Sequence, residues 1–494
     1  MRKIYFLLLC TVASYSQTQI GTDIDGEAAD DISGYSVSLS SDGNVLAIGG
    51  IYNDGNGTSS GHVRVYSNNS GVWTQIGADI DGEAANDASG YSVSLSSDGN
   101  IVAIGSYAND GDNGNFPNTG HVRVFQNLAG VWTQIGSDID GEFISDLSGC
   151  SVSLSDDGSI IAIGALSNDA NGSASGNVRV FKNISNVWTQ IGNSINGEAA
   201  LDFSGASISL SNDGSILAIG AYNNDGVNGT DSGHVRVYQN IANNWIQQGS
   251  DIDGEAANNF SGYSVSLSGD GSTVAIGAYY NGGATNSPGS GHVRVYKNLS
   301  NVWTQVGLDI YGEGNGDYFG HSVSLSNDGN VLVVGAPLND GNGSNAGLVR
   351  VYQNISGAWT HIGLDMDGEG VDDNFGISLS LSGDGSTVAI GATNNDANGS
   401  DSGHVRVFDI SPVLSSDGFV LSKFLIYPNP VSELVTISLQ NDLELKSINI
   451  YNSLGQFIKS EKNSSIDVRQ LSKGTYFFEV ITNKGKATKA IIVE

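Results

Sequence analysis

The feature that most constrains this chain is a unit of 56 to 59 residues that occurs seven times in succession. Each copy carries a glycine at the start of its first apolar segment, and these glycines are Gly34, Gly90, Gly149, Gly205, Gly262, Gly320 and Gly376. Units of this size bury their apolar faces by stacking on their neighbours. We therefore expect one repeat array rather than a string of unrelated domains.

Each unit reads as four short β-strands. In the first copy, apolar and polar residues alternate over residues 35–39, which is the period of a strand with one buried face. An Asp42-Gly43 turn joins this segment to the apolar run at residues 45–48. Residues 62–66 alternate again, and a fourth strand follows at Trp73. Four-stranded antiparallel units repeated around an axis form a β-propeller, so the sequence predicts an all-β, seven-bladed propeller.

The fourth-strand motif predicts how the array ends. Six copies carry a tryptophan, at Trp73, Trp132, Trp188, Trp245, Trp303 and Trp359. The seventh unit stops near Ile410 without one, whereas a further copy of the motif stands at residues 18–21. We expect this N-terminal strand to complete the seventh blade and to close the ring, because closure hides sheet edges.

The charge divides the chain into two pieces. The net charge is −32, but residues 17–411 carry 44 acidic and 9 basic residues, whereas residues 412–494 carry 8 and 9. So acidic a surface repels nucleic acid and anionic membranes, which argues against both as partners. The predicted organisation is a signal peptide at 1–16, the propeller at 17–411, a linker at 412–422 and a small β-sandwich at 423–494.

The N-terminus has the pattern of an export signal. Arg2 and Lys3 precede an apolar run at residues 4–12, and the small residues Ser14 and Ser16 follow. No other run reaches membrane-spanning length, so a soluble monomer is expected after export. Cys150 is predicted to be a buried thiol without a catalytic role.

Phe319-Gly320 and the run from Val334 to Pro337 carry a family resemblance. They are similar to the FG-GAP repeat, whose propellers also form the head of integrin α chains. The resemblance implies the propeller fold over residues 17–411. The calcium loops of that family lie between the first and second strands, where this chain has only a short turn, so its metal ligands are not transferred.

The C-terminal segment resembles the C-terminal sorting domain of the type IX secretion system of Bacteroidetes. The matching residues are Tyr427, Pro428, Asn429, Pro430, Gly455, Gly474, Tyr476 and Lys489. The resemblance implies export to the outer cell surface or the medium, and contact with the secretion machinery through residues 423–494. It also implies removal of this tail. The alternative is a plain adhesive β-sandwich.

The connection before each first strand carries recurring acids. Candidate ligands for Ca²⁺ are Asp23, Asp25, Glu27, Asp79, Asp81, Glu83, Asp138, Asp140, Glu142, Asp251, Asp253 and Glu255. Alternating carboxylates suit a hard cation that takes six to eight oxygen ligands. The alternative, that these acids are structural or solubilising, is favoured because Ser194 and Asn196 replace two of them in one copy.

Three further positions recur. An acid precedes the repeat glycine by three residues, as in Asp31 and Asp87, and is expected to tie loop amides together. One arginine per unit is expected to pair with acids of a neighbouring unit, and the alternative is a ring of arginines that binds an anionic ligand; the set is Arg64, Arg123, Arg179, Arg236, Arg294, Arg350 and Arg406. A histidine precedes five of them, but Asn177 and Leu348 replace it elsewhere, which argues against an essential metal ring. The tryptophans are expected to pack between blades.

The sequence contains no enzyme motif in a credible structural context, so a non-catalytic protein is expected. The preferred hypothesis is a secreted or surface-bound adhesion propeller that recognises a glycan or another surface macromolecule. The alternatives are a secreted polysaccharide-degrading enzyme and a structural component of the surface layer.

Overall fold

The structure is a computed structural model that describes residues 16–111, 117–282, 288–414, 424–439, 444–453, 456–482 and 485–494. The predicted signal peptide, except for Ser16, and most of the predicted linker lie outside these residues. The chain divides into two compact units. One comprises Thr18–Asp409, and the other comprises Ile410–Glu494 with the N-terminal Met1–Gln17.

The larger unit consists of seven antiparallel sheets, which confirms the all-β prediction. Strands in sheet 1 are Ser33–Leu39, Val45–Gly50, His62–Asn68, Trp73–Gln75 and Ile80–Asp81. Sheet 2 has Ser92–Leu95, Ile101–Ser106, His121–Leu128, Val131–Gln134 and Ile139–Asp140. Sheet 3 has Ser148–Leu154, Ile160–Ala165, Asn177–Ile184, Val187–Gln190 and Ile195–Asn196. Sheet 4 has Ser207–Leu210, Ile216–Ala221, His234–Ile241, Asn244–Gln247 and Ile252–Asp253.

Sheet 5 has Ser264–Leu267, Thr273–Ala278, His292–Asn298, Trp303–Gln305 and Ile310–Tyr311. Sheet 6 has Ser322–Leu325, Val331–Ala336, Leu348–Ile355 and Ala358–Asp367. Sheet 7 has Ser378–Leu381, Thr387–Ala392 and His404–Asp409, together with Thr18–Gln19 and Ile24–Asp25 from the N-terminus. The first four strands of a sheet pair in chain order, and the short fifth strand, which the sequence pattern did not predict, pairs with the third.

The N-terminal segment completes the last sheet, as the tryptophan motif predicted. Thr18 and Gln19 pair antiparallel with Asp409 and Phe408, where the other sheets have their fourth strand. Ile20 then accepts a hydrogen bond from the Trp73 indole at 3.0 Å, so the segment also contacts sheet 1.

Two series of hydrogen bonds link each sheet to the next and return to the start. In the first-to-second strand hairpins, the amide of Ser41 donates to the carbonyl of Ser97, and the series continues around to Gly383, whose amide donates to Ser41. In the first strands, the Ser38 hydroxyl accepts from the Leu95 amide, and the equivalent bond joins Ser380 of sheet 7 to Leu39 of sheet 1. The bonds between sheets 7 and 1 are thus of the same kind as those between sheets 1 and 2.

The repeat glycine is required where a first strand passes the neighbouring sheet. Gly34 has a φ of +87°, and an added Cβ would lie 2.7 Å from the carbonyl oxygen of His404. A side chain there would clash with backbone, which explains why glycine recurs in every copy.

The core lies between adjacent sheets. Leu46 and Ile48 pack with Val405 and Val407 of sheet 7, whereas Ala47 points the other way, into the cluster shared with sheet 2. The second strand is thus covered on both faces, as its apolar run predicted.

The smaller unit contains two antiparallel sheets and a short helix, Ser411–Leu414. One sheet comprises Phe424–Tyr427, Leu434–Leu439 and Ser465–Asp467. The other comprises Leu445–Asn452, Phe457–Glu461, Gly474–Thr482 and Gly485–Val493. A shared apolar core of residues such as Val435, Ile450 and Phe478 joins the two sheets, so the predicted β-sandwich is confirmed. No described helix is long and apolar enough to cross a membrane.

Candidate functional site

The recurring polar connections of the larger unit meet at one end of the sheets. Because successive strands run in opposite directions, the first strand begins, the second ends and the third begins at the same end. We call this the loop end. The acidic connections and the loops between the second and third strands both lie there, and the Asp-Gly hairpins lie at the opposite end.

The acid three residues before the repeat glycine holds the loop end together. The buried Asp87 carboxylate accepts hydrogen bonds from the Ala84 amide at 2.8 Å and from the Asn109 side chain at 3.2 Å. Asn109 in turn accepts from the Gly111 amide. Equivalent bonds form around Asp31, Asp146, Asp202, Asp317 and Asp373. The prediction that this acid ties loop amides is confirmed.

The structure divides the predicted Ca²⁺ ligands of one connection between two sheets. Asp23 faces His404 of sheet 7, whereas Glu27 faces His62 of sheet 1. Asp25 lies at the surface beside His404 and offers its backbone carbonyl to Arg64. In the next connection, Asp79 faces His62 and Glu83 faces His121. Asp138, from the connection after that, also faces His121. A Ca²⁺ site in these connections stays a prediction.

Among the described residues, five groups of one histidine and two acids form instead, and we call them the His–carboxylate clusters. The histidine begins a third strand, one acid comes from the connection before that sheet, and the other comes from the connection after it. The clusters are Glu27–His62–Asp79, Glu83–His121–Asp138, Glu198–His234–Asp251, Glu255–His292–Asp309 and Glu369–His404–Asp23. Their ligand atoms all lie within 4.8 Å of one another.

Burial sets the protonation of these histidines. Loss of solvent lowers the pKa of His121 to about 4, and the neighbouring Arg123 adds to the shift. The same causes lower the pKa of His234 to about 4. In the first cluster, the His62 imidazole lowers the pKa of Asp79. His121 and His234 are therefore neutral near pH 7, and the carboxylate of Asp79 is ionised.

The recurring arginine joins neighbouring repeats, as predicted. The buried Arg64 guanidinium donates to the backbone carbonyl of Asp25 at 2.7 Å and lies 3.9 Å from one carboxylate oxygen of Glu27. In sheet 6, where Leu348 replaces the histidine, Arg350 instead binds both oxygens of Asp365 at 2.9 and 2.7 Å. These arginine side chains thus bind groups of the protein itself.

A second feature of the loop end is an array of aromatic side chains on sheets 4, 5 and 6 and their connections, which we call the aromatic cluster. Its members are Phe203, Tyr222, Phe260, Tyr263, Tyr279, Tyr280, Tyr318 and His321. The rings of Phe260 and Tyr279 stack with centroids 5.7 Å apart, and Tyr263 lies 4.4 Å from Tyr279. Apart from Tyr280, which is 38% exposed, these side chains are half-buried.

The aromatic cluster is specific to part of the array. Phe203, Phe260 and Tyr318 stand at one position of the repeat, where the other repeats have Ile32, Ala88, Leu147 and Asn374. All seven residues have a positive φ of 51–59°, a strained conformation for a bulky side chain. All seven repeats have this positive φ, so it is a property of the turn. An aromatic side chain at this position is found in only three of the seven repeats.

Burial of the tyrosines raises their pKa values. Loss of solvent raises the pKa of Tyr279 to about 12, with the neighbouring Tyr318 adding to the effect. Burial also raises the pKa of Tyr263 and of Tyr35, which contacts Tyr91 with a centroid distance of 4.9 Å. The hydroxyls remain protonated at neutral pH and can donate hydrogen bonds.

The tryptophans and the cysteine have structural roles. The Trp132 indole donates to the carbonyl of Ile76 in the preceding connection at 2.8 Å, and the equivalent bond forms at Trp73, Trp188, Trp245 and Trp303. These five tryptophans therefore join neighbouring sheets, as expected. Cys150 is buried, and this burial raises its pKa to about 11.

The sorting-signal residues bring together the two ends of the smaller unit. The Asn429 side chain accepts from the Ile492 amide at 2.8 Å and donates to the Ala490 carbonyl at 2.9 Å. The Lys489 ammonium donates to the Phe424 carbonyl at 2.7 Å. Tyr427, Pro428 and Pro430 flank Asn429, Gly474 and Tyr476 open a strand of the second sheet, and Gly455 lies outside the described residues.

Sequence reasoning noticed the histidines but missed their carboxylate partners and the aromatic cluster. The partners come from two different connections, so spacing along the chain does not show them. One available signal was the Gln-x-x-x-Asp spacing, since the Gln75 side chain donates to Asp79 at 2.6 Å. Another was the repeated aromatic residue just after the second strand, as at Tyr222 and Tyr279.

Comparison with known protein families identifies parts of both units. Residues 312–352 and 365–408 match the FG-GAP repeat, and residues 425–494 match a secretion system C-terminal sorting domain. No curated protein matches the chain. The two matched repeats are those with a buried phenylalanine before the repeat glycine, Phe319 and Phe375, where the other five have serine.

The sorting domain marks the chain for type IX export to the cell surface or the medium. The chain thus carries FG-GAP repeats at residues 312–352 and 365–408, followed by a type IX secretion system sorting domain at residues 425–494.

Proposed function

We propose that this protein is a secreted or surface-displayed, closed seven-bladed β-propeller that binds a glycan and does not catalyse a reaction. Export follows from the sorting domain. The closed propeller is supported by the two hydrogen-bond series, which join sheet 7 to sheet 1 with the same bonds that join the other neighbours. It is also supported by the pairing of Thr18 with Asp409.

The observation that carries the binding role is the aromatic cluster. Phe260, Tyr279 and Tyr318 present ring faces and edges at the loop end, and the tyrosine hydroxyls are neutral donors and acceptors. Aromatic rings with a polar tip suit a ligand that is apolar on one face and hydroxylated at its edge, which describes a pyranose ring. The acidic surface favours a neutral or cationic sugar over a sulfated one.

The non-catalytic part of the proposal is supported by the likeness of the repeats. The buried histidines contact acids in the same way in five sheets, and the arginines are held by carbonyls and carboxylates of the protein. A catalytic centre needs a set of groups placed around one reacting bond, which is a different arrangement.

The test is binding of the chain without its predicted signal peptide, residues 17–494, to an array of bacterial, plant and host glycans, followed by titration with the strongest sugar. The variants Phe260→Leu and Tyr279→Leu take the residues that stand at the same repeat positions in Leu147 and Leu166, so they preserve a conformation that the fold accepts. Each should weaken binding about tenfold, equivalent to about 1.4 kcal/mol.

Phe143→Leu is the matched control, because Phe143 is an exposed aromatic residue at the loop end outside the aromatic cluster. It should bind like the wild type. A blank array, or equal binding by wild type, Phe260→Leu and Tyr279→Leu, would contradict the proposed glycan site.

A further inference from the structure

We propose that the His–carboxylate clusters are binding sites for a divalent transition metal ion of the zinc class, one ion per cluster. The ligands are the histidine Nδ1 and one oxygen from each of the two acids. The proposal concerns a different donor set from the Ca²⁺ ligands predicted within single connections, and it does not depend on glycan binding.

The distances in the first cluster leave room for an ion. His62 Nδ1 lies 3.7 Å from Asp79 Oδ2 and 3.8 Å from Glu27 Oε2, and the two oxygens are at most 4.8 Å apart. A point equidistant from three atoms in such a triangle is about 2.2–2.4 Å from each, close to the 2.0–2.2 Å of zinc–nitrogen and zinc–oxygen bonds. The three atoms are also too far apart for ordinary hydrogen bonds to each other.

In three of the clusters, the buried histidine atom that would bind the ion has no hydrogen-bond partner among the described residues. His62 is 1% exposed, and its Nδ1 is aimed at the two carboxylates without bonding to either. The Nδ1 atoms of the buried His292 and His404 are also without a hydrogen bond. Leaving a buried polar atom unpaired costs free energy, and an ion at this position would remove the cost.

Both acids are oriented by other groups so that one oxygen remains for the ion. The Gln75 amide holds Oδ1 of Asp79, which leaves Oδ2 facing His62. Arg64 lies beside Oε1 of Glu27, which leaves Oε2 facing His62. The same division of oxygens occurs around His121 and His234. Metal ligands are commonly fixed by outer hydrogen bonds of this kind.

The two sheets without the histidine also lack the cluster. In sheet 3, Asn177 replaces the histidine and Ser194 replaces the aspartate, although Glu142 is retained. In sheet 6, Leu348 replaces the histidine, and Asp365 is bound by Arg350. The five sheets that have the histidine also have an aspartate that faces it. The two sheets without the histidine have no aspartate free of an arginine at that position, as expected for partners in one site.

The donor set selects the class of ion. A neutral imidazole with two carboxylates suits zinc and its neighbours in the first transition series, whereas Ca²⁺ prefers oxygen ligands only. Arg64 opposes a cation, but the two acids outweigh it, and the −32 net charge of the chain adds to the attraction. Three protein ligands leave further positions of the ion open to water or to a ligand.

The test is titration of chelator-treated residues 17–494 with Zn²⁺ by calorimetry, with the bound metal counted after dialysis. We expect five ions per chain, four in His62→Asn, and none in the variant with all five histidines changed to Asn. Asn177 shows that asparagine is accepted at this position. Tryptophan fluorescence checks that each variant is folded, and His361→Asn, outside the clusters, is the control that should retain five.

A gain of binding provides the second test. The double variant Asn177→His with Ser194→Asp restores both missing ligands beside Glu142 and should bind six ions. Cobalt(II) in place of zinc should give a visible absorption band that grows with the sixth site. Absence of Zn²⁺ binding, an unchanged stoichiometry in His62→Asn, or full displacement of Zn²⁺ by 1 mM Ca²⁺ would overturn the proposal.

Discussion

Replacement of Ile24 by alanine tests whether the N-terminal segment is an integral part of the last sheet. Ile24 is 7% exposed and packs with Leu46 and Ile48 of sheet 1 and Val405 and Val407 of sheet 7. The change removes three carbon atoms, worth about 2.4 kcal/mol at about 0.8 kcal/mol each. Cavity formation raises the cost, so we expect a loss of about 2–5 kcal/mol in the free energy of unfolding.

Urea unfolding followed by tryptophan fluorescence measures this loss. All six tryptophans lie within Thr18–Asp409, so the signal reports on the larger unit alone. Ile252→Ala is the matched control, because Ile252 occupies the same position between sheets 4 and 5 and is 5% exposed. Its place in the chain is central rather than terminal.

The losses in the free energy of unfolding of the two variants should agree to within about 1 kcal/mol, since the two isoleucines are packed alike. A loss below about 1 kcal/mol for Ile24→Ala beside a full loss for Ile252→Ala would refute the reasoning. The N-terminal segment would then be a weakly held strand rather than a structural equivalent of the other fifth strands.

Three further predictions concern protonation and the smaller unit. Burial raises the pKa of Asp98, but hydrogen bonds from Asn100 and Ser96 outweigh it and lower the pKa overall, as for the turn acids of the other six sheets. Because the pKa of Asp98 in the folded protein lies below that of an ordinary aspartate, stability should be lost as pH falls below about 4. As the pH is lowered from about 6 to about 3, the urea midpoint of unfolding should fall less steeply for Asp98→Asn than for the wild type. Equal slopes for the two proteins would contradict this. The pKa of Tyr279 is raised to about 12, so unfolded chains lose the proton first and stability should decline as pH rises above 10. Absorbance at 295 nm should show tyrosines that ionise only above pH 11, and titration of every tyrosine near pH 10 would count against the burial argument. Asn429→Ala removes two hydrogen bonds to the last strand and should lower the stability of the smaller unit by about 1–3 kcal/mol, measured by hydrogen exchange at Ile492, with Asn463→Ala as an exposed control. Unchanged exchange would show that Asn429 has no structural role.

The sequence predicted most of the fold because the repeat supplies seven versions of each strand. The apolar run at residues 45–48 became Val45–Gly50, and the alternating segment at residues 62–66 became His62–Asn68. The two-residue fifth strands, such as Ile80–Asp81, escaped prediction because hydrophobic alternation cannot be detected over so short a segment.

The candidate site was less predictable, because its geometry depends on contacts between repeats. The acids of one connection share a sequence motif, which suggested one site, but the chain turns between Asp23 and Glu27 and presents them to different histidines. The arginine prediction succeeded because one buried charge per repeat requires a partner, whatever the detailed geometry. The aromatic cluster is formed by residues from three sheets, so no single repeat reveals it.

The pairing of Thr18 with Asp409 also determines the order in which the molecule can be assembled. The two strands come from opposite ends of the larger unit, so sheet 7 cannot form until the whole unit has been synthesised. Sheets 1 to 6 use only local hairpins and can form earlier, whereas the final pairing must bring distant segments together and is expected to be slow. The pairing of Thr18 with Asp409 therefore forms last, after the six sheets that are local in the chain.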